Sequence, residues 1–199
     1  IRIVSSDTIC LYFLVTYLGR FHRYYPKVHI KVTNQTSVKC ADLLENGTVD
    51  LIFTNYPNSR LGHGSHVQYL RDFHDCFIAS RKYYGELEHR PLSLQELLEY
   101  PILMLDRNST TSEFLHATFQ QHQLDLVPEI KLSSNDLLMD LADIGLGIAF
   151  VPDYCLSSGS GGDLFRLELK TELPPRQLAL VYNEHMPISS AVRQFIQYF

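Results

Sequence analysis

Polar side chains able to bind a small ligand are concentrated in four short segments, each of which follows an apolar stretch that predicts a β-strand. Hydroxyl and amide oxygens accept hydrogen bonds from the free backbone N–H groups of a helix start, so each segment predicts a strand, a turn and a helix. Those N–H groups and the helix dipole also favour a carboxylate or another small anion. In chain order, the segments contain Ser5, Ser6 and Thr8; Asn34, Thr36 and Ser37; Ser109, Thr110 and Thr111; and Ser133, Ser134 and Asn135.

These four segments have two explanations. Taken singly, each is ordinary helix capping, since Ser, Thr, Asn and Asp are the preferred residues at that position. Taken together, they occur in both halves of the chain, and in a doubly wound sheet the turns after the carboxyl ends of the strands line the ligand crevice. The repetition therefore favours a shared ligand cleft.

Motifs for catalysis are missing from the sequence. It contains no G-x-S-x-G elbow, no P-loop and no H-E-x-x-H helix, and the Gly-Leu-Gly at residues 145–147 is not a dinucleotide fingerprint. The nine His include no i, i+4 pair on one helix, so we expect surface or turn positions for them. Imidazole and carboxylate groups at residues 63–66 and 72–75 leave metal binding as an alternative, whereas no cofactor is expected.

The elements that must position the four segments alternate between strand and helix patterns, which predicts an α/β fold with mainly parallel sheets. Residues 157–162, rich in Ser and Gly, are predicted to form a surface loop. Helices are predicted over residues 9–21, 40–44, 93–97, 114–119, 137–141 and 187–198. Strands are predicted at residues 2–4, 28–32, 49–53, 67–71, 76–80, 102–105, 130–132, 148–151, 164–169 and 177–182.

The composition of the 199 residues is that of an ordinary globular protein, with 45% hydrophobic residues and a net charge of −5. The longest uncharged apolar stretch, residues 8–19, falls short of the roughly 20 residues that span a bilayer, so no membrane contact is expected. The 17 Lys and Arg form no basic stripe, which makes this stretch by itself a poor nucleic-acid binder. The chain begins abruptly in a predicted strand, as expected of a fragment of a longer protein.

The four cysteines, at positions 10, 40, 76 and 155, show no C-x-x-C spacing. Each stands among apolar neighbours, so we expect buried, inert thiols in a reduced, cytoplasmic protein. A redox switch between two thiols that meet in space is the alternative.

The order of these motifs resembles the effector-binding regulatory domain of LysR-type transcriptional regulators, which has the type 2 periplasmic-binding-protein fold. The opening segments IRIVSSDTIC, FHRYYPKVHIKV and ADLLENGTVDLIF are similar to the first strands and helices of that family. YPILMLDRNSTTSEFL resembles the start of its second subdomain, and SSNDLLMDLADIGLGIAFVPDY resembles its helix followed by G-L-G-I-A-x-x-P. The resemblance covers essentially all of the chain.

The resemblance implies two Rossmann-like α/β subdomains joined by two crossover strands. Subdomain I would comprise residues 1–78 and 164–199, and subdomain II would comprise residues 79–163. A winged helix-turn-helix that binds DNA would precede residue 1, and the protein would be a cytoplasmic homodimer or homotetramer. An effector bound between the subdomains would shift the hinge and the oligomer geometry, and through them DNA binding and transcription.

The family's effector-binding positions carry over to nine residues of this chain. The expected effector is a small, polar metabolite that bears a carboxylate, because these positions lie mostly at hydroxyl-rich helix starts. Asp7 departs from the family pattern, in which Pro is frequent, and puts a carboxylate at the pocket mouth. The nine positions are Ser6, Thr8, Asn34, Thr54, Ser109, Thr111, Ser134, Asn135 and Pro152.

Two other classes of protein share this architecture. A solute-binding protein of a transporter has the same fold and cleft, but the sequence shows no signal peptide and four cysteines that look unpaired. An enzyme would need an acid, a base or a nucleophile in the crevice, whereas the predicted turns offer mostly hydroxyls and amides. A regulator domain without catalytic activity is therefore expected.

Overall fold

The strands form two separate five-stranded sheets in the computed structural model, which describes residues 1–158 and 162–199. The strands are β1 (Arg2–Ser5), β2 (Lys31–Asn34), β3 (Leu51–Tyr56), β4 (Ser65–Phe73), β5 (Asp75–Ser80), β6 (Ile102–Leu105), β7 (Ile130–Leu132), β8 (Ile148–Pro152), β9 (Leu164–Arg166) and β10 (Arg176–Asn183). The first sheet has the order β2-β1-β3-β10-β4, and the second has the order β7-β6-β8-β5-β9. Two compact units follow from this division, one of residues 1–72 with 176–199 and one of residues 73–175.

The helices are short, and within the described residues none is both long and apolar enough to cross a membrane. They are α1 (Asp7–Ile9), α2 (Val15–Tyr24), α3 (Ser37–Glu45), α4 (Arg81–Tyr84), α5 (Leu94–Leu97), α6 (Thr110–Gln121), α7 (Asn135–Asp143) and α8 (Ser190–Ile196). A π-helical segment, Cys10–Leu14, joins α1 to α2, and 3₁₀ turns cover Gly85–Leu87 and Asp153–Ser158.

The first unit is organised around three parallel strands. β1 pairs in parallel with both β2 and β3, while β10 runs antiparallel to β3. Apolar residues of β1, β3, β10 and α3 form the core on one face, where Val4, Ile52 and Val181 are fully buried. Because the three parallel strands end at the same edge, Ser5 lies directly between Asn34 and Phe53.

The second unit repeats this arrangement. β6 pairs in parallel with β7 and β8, and β5 runs antiparallel to β8 and β9. Its core contains Phe77, Phe150 and Met104 from the sheet and Leu115 and Phe119 from α6, all of them buried. The carboxyl ends of β6, β7 and β8 lie at one edge of the sheet, as those of β1, β2 and β3 do in the first unit.

The chain passes from one unit to the other between residues 72 and 73 and again between residues 175 and 176. The boundaries predicted from the sequence, after residue 78 and before residue 164, fall inside the second unit. The difference arises from strand pairing, which no local pattern reveals: β5 pairs with β8 on one side and with β9 on the other.

The predicted α/β class is confirmed, and the differences concern where elements begin and end. The strand predicted at residues 28–32 begins only at Lys31, because Val28 N–H closes a turn onto the Tyr25 carbonyl. The strand predicted at residues 164–169 ends at Arg166, since the backbone of Glu168 and Lys170 bonds to Leu92 instead of continuing the ladder with β5. The last helix is Ser190–Ile196 rather than residues 187–198. Of the predicted loop at residues 157–162, the first two residues end a 3₁₀ turn, and residues 159–161 lie outside the described residues.

Candidate functional site

The edge of the first sheet carries Ser6 and Thr8 at the first helix start. Ser6 is the N-cap of α1, and its Oγ accepts a hydrogen bond from Ile9 N–H at 3.4 Å. Thr8 is buried in the first turn of the helix. Ser5 fixes the strand end beneath them, because its fully buried Oγ donates to the Phe53 carbonyl oxygen over 2.9 Å. The predicted strand, cap and helix are therefore confirmed at this position.

Asn34, at the end of β2, holds the carboxylate of Asp7. The Asn34 amide nitrogen donates to Asp7 Oδ1 over 2.9 Å, and the Cys10 thiol donates to Asn34 Oδ1 over 3.2 Å. Asp7 is the first residue of α1 and is exposed, so its negative charge lies at the helix start. A carboxylate there is stabilised by the free N–H groups of the first turn. The helix start of the first unit thus already has an internal anion.

Thr54 occupies a buried position in β3, one residue beyond Phe53. Its Oγ1 donates to the Asn55 carbonyl oxygen over 3.2 Å and accepts from the Asn58 amide nitrogen over 3.1 Å. The hydroxyl therefore stabilises the connection that follows β3.

The corresponding edge of the second sheet begins with the turn between β6 and α6. Ser109 caps α6, with its Oγ accepting from Ser112 N–H at 3.0 Å and donating to the Asp106 carbonyl oxygen over 3.2 Å. Asp106 Oδ1 accepts from Asn108 N–H over 2.9 Å, and Arg107 provides a cation in the same turn. The formal charges of this turn therefore cancel.

The first turn of α6 contains three consecutive buried hydroxyl residues, Thr110, Thr111 and Ser112, exposed by 3%, 2% and 1%. Within the part of the chain that the structure describes, Thr110 Oγ1 and Ser112 Oγ have no hydrogen-bond partner. A buried hydroxyl without a partner costs about 1–3 kcal/mol, so native proteins rarely keep one without a reason. These two hydroxyls at the start of α6 are therefore available to bond to a ligand.

Ser134, Asn135 and Pro152 complete this edge. Ser134 caps α7, with its Oγ accepting from Leu137 N–H at 3.3 Å, and Asn135 is the buried first residue of that helix. Pro152 is the buried last residue of β8. Because Leu105 pairs with Leu132, and Leu103 pairs with Ala149, the ends of β7, β6 and β8 lie level.

Each unit therefore brings its own share of the predicted effector-binding residues to one sheet edge. The first unit holds Ser6, Thr8, Asn34 and Thr54, and the second holds Ser109, Thr111, Ser134, Asn135 and Pro152. Thr110, which belongs to the third hydroxyl-rich segment, and Ser112, which follows that segment, were not among the predicted effector-binding positions. The capping pattern could have drawn attention to them, but whether a hydroxyl finds a partner depends on packing.

The His, Cys, Asp and Glu side chains were considered as metal ligands, and the cysteines as reactive thiols. Among the described residues, no group of His, Cys, Asp and Glu could hold a metal ion. The expectation of buried thiols holds for Cys40, Cys76 and Cys155, whereas Cys10 is partly exposed. Burial raises the pKa of the Cys10 thiol to about 11 and that of Cys40 to about 12, which disfavours the reactive thiolate.

A cavity of about 530 Å³ lies in the second unit, and it begins beside Pro152, because its lining residue Asp75 pairs with Pro152. Its lining includes the apolar Phe77, Leu167 and Leu173 and the charged Arg166 and Glu172. Its charged groups are of both signs, and none of the nine predicted positions lines it. The sheet edges and this cavity are thus separate candidate sites, which ligand-binding experiments can distinguish.

The chain belongs to the family described as the LysR substrate binding domain, whose model matches residues 1–199. It is 25% identical over 196 residues to the HTH-type transcriptional activator CmpR of Synechocystis sp., covering 98% of this chain and 64% of CmpR. It is 24% identical over 202 residues to the HTH-type transcriptional regulator YeiE of Escherichia coli K12, covering 100% of this chain and 67% of YeiE. The chain thus spans less than two thirds of CmpR.

Solved structures show the same fold. The regulatory domain of Synechocystis PCC6803 CcmR, in complex with 2-PG, superposes with a TM-score of 0.89 at 20% identity, covering 100% of this chain and 94% of that domain. The effector-binding domain of QuiR, in complex with shikimate, gives a TM-score of 0.83 at 14% identity, covering 100% of this chain and 93% of QuiR's. The type 2 periplasmic-binding-protein fold predicted from the sequence is confirmed.

Proposed function

We propose that this chain senses a small, polar, carboxylate-bearing metabolite and that the metabolite binds at hydroxyl-bearing helix starts. The observation that carries the proposal is the placement of hydroxyl side chains at the starts of α1, α6 and α7, each at the carboxyl end of a parallel strand. Free N–H groups and partial positive charge at such starts suit a carboxylate. QuiR's effector-binding domain, which shares the fold, is in complex with shikimate.

The whole protein would be a LysR-type transcriptional regulator. A winged helix-turn-helix preceding residue 1 would bind DNA, which fits the part of CmpR that this chain leaves uncovered and the net charge of −5. The regulator would act in the cytoplasm as a homodimer or homotetramer. Effector binding would shift the population of hinge and oligomer geometries, and so change how the DNA-binding domains are presented.

The proposed sensor has no catalytic activity of its own. Its curated relatives are named as transcriptional activators and regulators, and the candidate positions offer hydroxyls and amides rather than a nucleophile with a base. A transporter's solute-binding protein, which the sequence alone left as an alternative, receives no support from these relatives.

A thermal-shift titration with a panel of metabolites tests the proposal. A carboxylate at 100 times its dissociation constant stabilises the chain by about 2.7 kcal/mol, which is readily measured. The double variant Ser6→Ala, Thr111→Ala should lose this response. Its control is Ser189→Ala with Thr118→Val, because Ser189 caps α8 after antiparallel β10 and Thr118 bonds within α6. Stabilisation by large apolar compounds only, or an unchanged response in the site variant, would overturn the proposal.

A further inference from the structure

We infer that the second unit holds an anion site on the side of α6 that faces β7, and that this site takes a phosphate group, either free or as part of a small phosphate ester. Ser112 and His116 donate hydrogen bonds to the phosphate oxygens, and Arg107 and Lys131 supply the positive charge. All four residues belong to the second unit, and none of them is a predicted effector-binding position. The inference therefore goes beyond the proposed function and does not depend on it.

The two sides of α6 have different neighbours. Phe114 and Thr118 line a cavity of about 140 Å³ whose other wall is formed by residues 171–174. With 3.6 residues per turn, Ser112 and His116 lie at least about 120° around the helix from both of those residues. They are four positions apart, so they are neighbours on the side of α6 that faces away from this cavity.

Ser112 and His116 each have a buried atom that is free to form a hydrogen bond. Ser112 is 1% exposed, and within the described residues neither its Oγ nor Nε2 of the partly buried His116 has a hydrogen-bond partner. Residues four apart on a helix have Cβ atoms about 5–6 Å from each other, and these two side chains do not bond to one another. An oxyanion with several oxygens can bridge them, accepting from both at the usual distances of about 2.7–3.2 Å.

Lys131, in the strand next to β6, lies on the same face of the sheet as α6. It is in register with Met104 of β6, and Met104 packs in the core with Leu115 and Phe119 of α6. Paired residues of adjacent strands point to the same face of a sheet, so the Lys131 side chain also points to the α6 side. Because β7 is an edge strand, Lys131 is exposed there.

Arg107, exposed in the turn between β6 and α6, brings a second cation near His116. Among the described residues, the side chains of Arg107 and Lys131 form no hydrogen bond and no salt bridge. Burial lowers the pKa of His116, the charges of Arg107 and Lys131 lower it further, and Asp125 opposes them with a smaller effect. The electrostatic potential beside His116 is therefore positive, which favours an anion.

The number of cations and donors matches a phosphate group better than a carboxylate. A phosphate ester carries a charge between about −1.5 and −2 at pH 7 and has three terminal oxygens, so it can pair with both cations and accept from both donors. A carboxylate has one charge and two oxygens, which leaves a cation unpaired. Asp106, next to Arg107 in the chain, is engaged by Asn108 N–H through its Oδ1.

NMR titration of the chain tests the inference. Sodium phosphate and, separately, glycerol 3-phosphate at constant ionic strength and millimolar concentration should move the amide signals of Ser112 and His116. Either phosphate should also raise the pKa of His116, because a bound anion favours the imidazolium form. Movement with both compounds shows that the phosphate group suffices, and movement with glycerol 3-phosphate alone shows that the ligand is an ester. Acetate as effective as both phosphates, or no movement with either phosphate, overturns the inference.

Arg107→Gln and Lys131→Gln test the source of the positive charge. Each should weaken phosphate binding about fivefold or more, the factor expected for unit charges about 4 Å apart in water. Lys39→Gln, an exposed position of α3 in the first unit, makes the same change in net charge and should leave the affinity unchanged. Equal losses in all three variants would show attraction to the charge of the whole chain and overturn the site.

Ser112→Ala tests the position of the anion. Its hydroxyl has no partner in the free protein, so stability should change little, while phosphate binding should weaken about fivefold or more. Thr118→Val is the control, because Thr118 Oγ1 donates to the Phe114 carbonyl on the other side of α6. If phosphate binding is lost in Thr111→Ala and kept in Ser112→Ala, the anion binds at the proposed effector site. That result overturns this inference and leaves the proposed function standing, whereas failure of the carboxylate panel alone leaves the phosphate site standing.

Discussion

The two sheet edges are alike in architecture but differ in how their polar side chains are used. At the first edge, the Ser5 and Thr54 hydroxyls and the Asn34 amide all bond to other groups of the same unit. At the second edge, among the described residues, the hydroxyls of Thr110 and Ser112 are buried without a partner. At the first edge these polar groups are therefore satisfied within the protein, whereas the second edge retains two hydroxyls that can bond to a ligand.

This difference separates two roles that the same residue types play. A satisfied buried hydroxyl holds two segments of the fold together, and removing it leaves its partners unpaired. A buried hydroxyl without a partner contributes nothing to folding and costs its desolvation, so replacing it with an apolar group is nearly free. Stability measurements can therefore distinguish the edges before any ligand is known.

Thr54→Val should have the largest effect on stability. It removes the hydroxyl that bonds to both the Asn58 amide and the Asn55 carbonyl in a buried site, which costs about 1–3 kcal/mol in the free energy of unfolding. Urea denaturation measures this cost. Thr33→Val, at a half-buried position of β2, is the matched control and should change stability by no more than about 0.5 kcal/mol. An equally small loss for Thr54→Val would remove the contrast between the edges.

Ser109→Ala should have the next largest effect, because it removes a cap rather than a buried network. Its Oγ accepts from Ser112 N–H at 3.0 Å, and loss of such a cap costs about 1 kcal/mol. Ser6→Ala should cost less, since the cap bond from Ile9 N–H is longer, at 3.4 Å. Ser109→Asp should restore stability by capping the helix again. The reverse order of the two alanine variants would contradict this ranking.

A smaller effect is expected in acid. A hydrogen bond from Lys170 Nζ at 2.7 Å, with further bonds from Ser93, lowers the pKa of Glu96 from 4.5 to about 2. Since the folded pKa lies below the unfolded one, the contribution of Glu96 is complete above about pH 4.5 and is lost as the pH falls toward about 2.

Glu96→Gln should therefore flatten the fall in melting temperature over this pH range. Asp50→Asn makes the matching change in the first unit, because the pKa of Asp50 is also lowered in the folded chain. Burial alone would raise the pKa of Asp50, but hydrogen bonds from the Arg2 side chain and backbone outweigh it, so the pKa is lowered. A melting curve of Glu96→Gln with the same pH dependence as the unmodified chain would contradict the assignment.

Thr110→Val should have the smallest effect on the free protein and is the sharpest test of the comparison. Valine matches threonine in shape, and the lost hydroxyl has no partner to leave unpaired, so stability should stay level or rise slightly. Urea denaturation of Thr110→Val beside Thr54→Val makes the comparison on two buried threonines. A loss as large as that of Thr54→Val would show that the hydroxyl is satisfied after all.

Local rules predicted the helix starts, whereas packing decided how each polar group is used. Ser6, Thr36, Ser109 and Ser134 cap helices as predicted, because a cap needs only residues within four positions of each other. Ser5 bonds to the Phe53 carbonyl of another strand, and the lack of a partner for the Thr110 hydroxyl depends on everything that packs around α6. Neither fact has a local pattern in the sequence. The boundaries of the units likewise depend on the partners of β5.

The π-helical segment Cys10–Leu14 separates the first helix start, α1, from the longer α2. An α-helix turns about 100° per residue, so a one-residue deletion within this segment would rotate everything before it relative to everything after it. The later part, with Phe21 fully buried, is anchored in the first unit and would stay in place. β1 is anchored as well, because Ile3, Val4 and Ser5 are buried, so the residues between β1 and α2 would have to take up the rotation. The length of the π-helical segment, apart from its sequence, thus sets the orientation of the first helix start relative to α2.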